Sequence, residues 1–182
     1  MYNRLLLYVE QKLGDHQGGF RPNRSTINQI FALRQISEKM KEHQQTTWML
    51  FIDFRAAYDT IMVATHELGL PSKLTRLVKC TMVSTTCQVK SCGLSEPFEV
   101  EYGLRQDPIA PLLFNIALQV IINRAGINQE GIVFTKMTQV LAYADDVVII
   151  RRPLQRIRTA FEAMDVEAKR MGLPFDHDYA VG

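Results

Sequence analysis

Cysteine is scarce in this sequence. Only Cys80, Cys87 and Cys92 occur among 182 residues. Their number is odd and their spacing fits no metal-ligand pattern, which argues against a disulfide-stapled scaffold and for free thiols in a reducing compartment. Long apolar runs are also lacking, so no segment is long enough to cross a bilayer. The first eleven residues are too polar for a signal peptide. A soluble intracellular protein with no membrane partner is expected, in the cytoplasm, the nucleus or both. Charge of one sign is missing too: 21 Lys and Arg against 19 Asp and Glu leave a net charge of +2. Any nucleic-acid surface must then be local rather than global. There is no repeat, low-complexity tract or linker. With 47% hydrophobic and 22% charged residues the composition is globular, with enough length for one domain and a substantial core.

What stands out is the stretch from Val140 to Ile150, in which Asp145 and Asp146 lie between two apolar, β-branched runs. Each run has the length of a short strand, so the acids fall at or near the turn of a hairpin. Carboxylates in an apolar surround are costly without a cation or hydrogen bonds. Side by side they also repel, which raises the pKa of one of them. A divalent metal relieves both penalties. A plain Asp-rich turn accounts for the dipeptide taken alone. A second acidic anomaly changes the balance: Thr46–Phe54 reads as a strand buried on both faces, yet it carries Asp53 near its end.

The remainder of the chain supplies the frame. Residues 2–13 have helical spacing, at the start of a whole protein or of a piece cut from a larger one. Gly18–Thr26 is a loop, with Ser25 or Thr26 as cap of a helix that places Ile27, Ile30, Phe31, Ile36 and Met40 on one side. Arg21 and Arg24, beside that helix start, are candidate phosphate contacts, with solvated arginines as the alternative. A short helix is expected over 71–83. A second hairpin pairs Gln88–Lys90 with Pro97–Val100. Residues 108–124 form a core helix stopped by Gly126, and 154–171 an amphipathic helix closed by Gly172. The last ten residues hold one or two strand turns at most. Strands and helices in this irregular order argue for an antiparallel sheet backed by helices, an α+β fold. In such a sheet Asp53 and the turn acids converge. Three carboxylates suit two Mg²⁺ ions roughly 3.5–4 Å apart, the arrangement for phosphoryl displacement.

Four blocks now acquire a common meaning. They are Gln17–Thr26 (QGGFRPNRST), Phe51–Asp59 (FIDFRAAYD), Gly103–Asn115 (GLRQDPIAPLLFN) and Tyr143–Asp146 (YADD), with Gly93–Phe98 between the second and third. In type and order they resemble the reverse transcriptase domain of non-LTR retrotransposons, over residues 4–176. The resemblance implies a polymerase palm with part of the fingers: partial fingers over 1–45, and a palm over 46–182 with a helix and hairpin insert at 71–102. It implies RNA-directed DNA synthesis on an RNA template and DNA primer, with a dNTP as substrate. Mg²⁺, or Mn²⁺ in its place, would sit on Asp53, Asp145, Asp146 and the backbone carbonyl of Phe54. Tyr58 would lie under the sugar and exclude a ribose 2′-OH. Arg105 and Gln106 would contact the incoming nucleotide and template. Arg21 and Arg24 would lie in the fingers near template or triphosphate.

Three departures from the family pattern accompany these matches. The family has a glycine after the glutamine of the third block, whereas Gln106 here runs straight into Asp107. A displacement of about 1 Å in a catalytic turn costs on the order of a hundredfold in rate. Near the end, Asp176 stands by the family's Asn position and Tyr179 where its lysine would fall, with His177 the nearest substitute proton donor. The stretch also holds neither the more N-terminal fingers nor a thumb, so its own grip on a duplex should be weak. Two readings follow: a polymerase domain or part of one, and a retrotransposon-derived relic that folds and binds RNA or protein without polymerising.

Overall fold

A computed structural model describes residues 2–54, 61–91, 93–102, 109–127, 138–173 and 175–176. Along the chain come α1 (Tyr2–Glu10), α2 (Thr26–Glu42), β1 (Trp48–Phe54), α3 (Ile61–Glu67) and α4 (Ser72–Met82). They are followed by β2 (Val83–Cys87), β3 (Phe98–Tyr102), α5 (Ile109–Arg124), β4 (Thr138–Tyr143), β5 (Asp146–Arg151), α6 (Leu154–Arg170) and β6 (Phe175–Asp176). Four strands make one antiparallel sheet in the order β4-β5-β1-β6, and β2 and β3 pair separately.

The core forms around α5, which is apolar on nearly every side. Leu113, Ile116, Ala117, Ile121 and Ile122 have no exposed surface. Such a helix has no face to offer water and must be enclosed. It packs against α1, α3 and α6, and α6 lies on the sheet. Leu50, Ile52, Phe54, Val140, Ala142, Val147 and Ile149 close this core from the sheet side. The Phe54 ring meets Phe114 and Phe175 edge-on, at 5.7 and 4.7 Å between centroids. Those contacts tie the end of β1 to α5 and β6 together. The left-handed residues Gly126 and Gly172 follow α5 and α6, as the sequence leads one to expect.

Among the described residues, the opposite face of the sheet is covered at one end only. There Met49, Leu141, Val148 and Ile150 pack against Ala32, Leu33, Ile36 and Met40 of α2. Two expectations are corrected by this arrangement. β1 is not buried on both faces, because Phe51 and Asp53 alternate outward beyond the reach of α2. The apolar stripe of α2 is not one buried side either: Ile36 and Met40 are buried, while Ile27, Ile30 and Phe31 are largely exposed. A third correction concerns 71–102. Val83 begins a strand rather than ending a helix, and the hairpin register runs Val83↔Tyr102 to Cys87↔Phe98, with Gln88–Lys90 in the connection. Ser25 is the N-cap of α2, but its hydroxyl bonds Asn28 Oδ1 rather than a backbone N–H.

The loop before α2 is bound into the fold. Arg21 is buried, with its side chain 6% exposed, and is ion-paired to Glu10 at 2.8 Å. Its Nη1 also donates to the carbonyls of Gly14 and Gln17. Removing the guanidinium takes the ion-pair partner from Glu10 and the side-chain donor from the Gln17 carbonyl, and leaves the Gly14 carbonyl only the long bond from the Gln17 N–H, a loss of about 3–5 kcal/mol. Arg21→Ala should therefore lower the urea midpoint sharply. Arg24→Ala, which breaks only a surface pair with Asp15, should move it by the equivalent of about 0.5 kcal/mol or less. Equal small effects would show that Arg21 is not structural.

Candidate active site

The hairpin that carries the acids has a two-residue turn, Ala144-Asp145, between Tyr143 and Asp146, which face each other across the strands. β5 then pairs with β1 so that Asp146 stands opposite Asp53. The Phe54 N–H donates to the Asp145 carbonyl at 3.3 Å, which carries the pairing of β1 up to the turn itself. Directly opposed residues of an antiparallel pair share a face, with Cα atoms about 4.5–5.5 Å apart. Asp53 and Asp146 thus project from the same face at one end of the sheet, and both are exposed, as is Asp145. Asp176 of β6 takes the register position opposite Asp53 on its other side. One row across the sheet end therefore reads Tyr143, Asp146, Asp53, Asp176.

Electrostatically the row is unbalanced. Partial burial raises the pKa of Asp146, and the neighbouring charges of Asp145 and then Asp53 push it further the same way. Among the described residues no lysine, arginine or histidine pairs with any of the three acids. Nor do three His, Cys, Asp or Glu side chains among them form a finished metal cage. The donor set fits a hard divalent cation none the less. It offers carboxylate oxygens, repels itself when no cation is present, and is open on one side, as suits an ion that keeps waters and substrate phosphates in its shell.

Other candidate residues fall in different places. The Phe54 side chain is buried in the aromatic cluster, so its backbone alone is available to a ligand. Arg24 lies at the surface, held by Asp15 at 2.5 Å. A pair so exposed is weak enough for a phosphate to displace Asp15. Arg21 is turned inward and has its donors committed, unlike the template contact expected of it. Tyr58, Arg105, Gln106, His177 and Tyr179 lie outside the described residues. Two features escaped sequence reasoning. One is Asp176 in register with Asp53. The other is Phe20, half-exposed at φ 55°, with its ring 6.4 Å from that of Tyr143 beside the acidic row. The sequence placed Asp176 by the family's Asn position but gave no register for it against Asp53.

With this geometry in view, comparison with known proteins decides the family. The model of the family described as "Reverse transcriptase (RNA-dependent DNA polymerase)" matches residues 1–178. The chain belongs to that family. A curated relative, the retrovirus-related Pol polyprotein from type-1 retrotransposable element R2 of Popillia japonica, is 25% identical over 134 residues. The match takes in 69% of this chain but 22% of the relative. The non-LTR character of the four sequence blocks agrees with that kinship. Among solved structures, apo telomerase of Candida tropicalis truncated from its C-terminal domain superposes with a TM-score of 0.72 at 11% identity, covering 99% of this chain and 39% of that one. Telomerase of Candida albicans with a fragment of telomeric RNA gives 0.63 at 7% identity, covering 98% and 33%. These likenesses establish the fold, a palm with part of the fingers. The reverse transcriptase chain thus spans well under half the length of the relatives it matches. No helix among its described residues is long and apolar enough to cross a membrane.

Because Asp146 has a raised pKa in the folded state, its charged form costs stability at neutral pH. That cost fades as the pH falls through the ordinary carboxylate range. Asp146→Asn should raise the melting temperature of the metal-free chain by ~1–2 °C at pH 7, the scale of a surface charge contact in a chain this size. The gain should vanish near pH 3. A fall in melting temperature at pH 7 would mean that the row is not self-repelling.

Proposed function

We propose that this reverse transcriptase chain is the palm-centred part of an RNA-directed DNA polymerase of a non-LTR retroelement, which adds deoxynucleotides to a primer 3′-hydroxyl. The observation that carries the reading is the cross-strand placement of Asp53 against Asp146, next to Asp145, all three exposed at one end of the sheet. An ordinary antiparallel sheet avoids like charges directly opposite each other. A site that must hold cations and phosphates together requires them.

In this reading residues 1–45 are partial fingers and 46–182 palm, with 71–102 as an insert. Asp53, Asp145, Asp146 and the Phe54 carbonyl hold Mg²⁺, or Mn²⁺ in its place. When bound, two such ions lower the pKa of the primer hydroxyl and balance the charge of the triphosphate and the departing pyrophosphate. The protein supplies placement rather than covalent chemistry. Its strand register fixes the spacing of the carboxylates, and the rigid contacts of Phe54 beneath them keep that spacing. Tyr58 selects the deoxyribose by bulk. Arg105 and Gln106 position the incoming nucleotide and the template, and Arg24 offers its guanidinium to a backbone phosphate. Arg21 contributes by holding its loop. RNA template, DNA primer and dNTP are the partners.

Two sequence features favour the alternative of a folded relic that binds RNA or a protein partner without polymerising: the absent glycine after Gln106, and Tyr179 standing where the family has its lysine. A single experiment separates the two readings. Primer extension on an RNA template should be measured for the chain as it stands and with glycine inserted after Gln106. Insertion should raise the rate on the order of a hundredfold, and Asp145→Asn should abolish extension in both backgrounds. RNA binding with no extension from either chain would favour the relic.

A further inference from the structure

The acidic turn has an improbable backbone. Ala144 sits at φ 57° and is buried. A residue with a Cβ rarely adopts that conformation, and two-residue hairpin turns usually put glycine in it. Something outside the hairpin has to hold it, and the contacts of Gly14–Arg21 converge there. The Gly18 N–H donates to the Ala142 carbonyl, and the Ala142 N–H to the His16 carbonyl, each at 2.8 Å. Gln17 thereby forms a one-residue parallel bridge along the free edge of β4. From that position its Oε1 accepts from the Ala144 N–H at 3.3 Å and from the Gly19 N–H at 2.9 Å.

Gly19 supplies an independent observation. It presses so close to the turn that an added Cβ would stand 2.3 Å from Ala144 N and 3.0 Å from the Tyr143 carbonyl carbon. Both are backbone atoms, which cannot swing aside. The Gly19 carbonyl is fixed in turn by Asn115 Nδ2 of α5, at 2.8 Å. Stability alone does not explain a glutamine at position 17. The residue is 1% exposed and its Nε2 has no partner among the described residues. A buried, unpaired amide nitrogen is a burden that methionine of similar length would not carry.

We propose that Gln17 is a positioning residue of the nucleotidyl-transfer site. Its amide oxygen, seated through Gly19 and Asn115, keeps Ala144 left-handed and so sets where the Asp145 and Asp146 carboxylates stand relative to Asp53. The consequence for metal rests on the function proposed above; the brace on the turn does not.

The test uses the full 182-residue chain and two readouts: exchange of the Ala144 amide proton by NMR, and Mn²⁺ affinity by electron paramagnetic resonance. Gln17→Met should speed Ala144 exchange at least tenfold and weaken Mn²⁺ binding about tenfold, the usual scale for an outer partner of a metal site. Melting temperature should change little. Adding Ala144→Gly should recover most of the affinity, because glycine takes the left-handed conformation unaided. Gly19→Ala, which leaves Gln17 in place and pushes on the turn, should weaken Mn²⁺ binding to a similar degree and serves if the methionine variant does not fold. A lower melting temperature with unchanged Mn²⁺ affinity would reduce Gln17 to ordinary packing and overturn the proposal. Should the wild-type chain bind no Mn²⁺, the metal reading falls by itself. Ala144 exchange then judges the brace, and unchanged exchange in Gln17→Met refutes it.

Discussion

Two carboxylates held face to face across a pair of strands are the constraint on which the proposed site depends. The pairing of Asp53 with Asp146 is fixed by six registered positions between β1 and β5, from Trp48↔Arg151 onward. A slip of β5 by one residue would send Asp146 to the core face, away from Asp53, and expose Val147. The same hydrophobic pattern that drives folding therefore also holds the repelling pair together. What the acids cost locally is small beside the apolar burial around α5, and the site can persist without a counter-ion.

Coverage of the sheet gives the site its access. One face is sealed by the core, and among the described residues the other is shielded by α2 only at the end away from the acids. At the other end Asp53 and Asp146 are left facing outward, with Asp145 exposed beside them. The loop from Gly14 to Arg21 serves this arrangement from the side. Arg21 fastens it to α1, Asn115 fastens it to α5, and Gln17 reaches the turn. A motif that reads as a phosphate contact in one dimension is, for Arg21, a structural anchor in three.

Much of this was legible in the sequence, for definable reasons. The β-branched runs around Ala144-Asp145 announced the hairpin because strand propensity and turn position agree there. α5 was evident because no polar face interrupts it. Asp53 stood out as an acid in an apolar strand. Other features were hidden. Periodicity groups Ile27 and Phe31 with Ile36, but it cannot tell how far a packing partner extends. β2 follows α4 with no glycine or proline between them, so the change from helix to strand at Val83 left no mark. α3 is barely two turns long, too short for its pattern to register. The burial of Arg21 depends on Glu10, a partner eleven residues away, which loop composition does not reveal.

Crystals of the chain soaked in Mn²⁺ and measured at the manganese absorption edge test the central claim most directly. The account predicts an anomalous peak at about 2.0–2.2 Å from carboxylate oxygens of both Asp53 and Asp146, within the first shell of a hard cation. A peak bound by neither, or no peak at millimolar Mn²⁺, would contradict it.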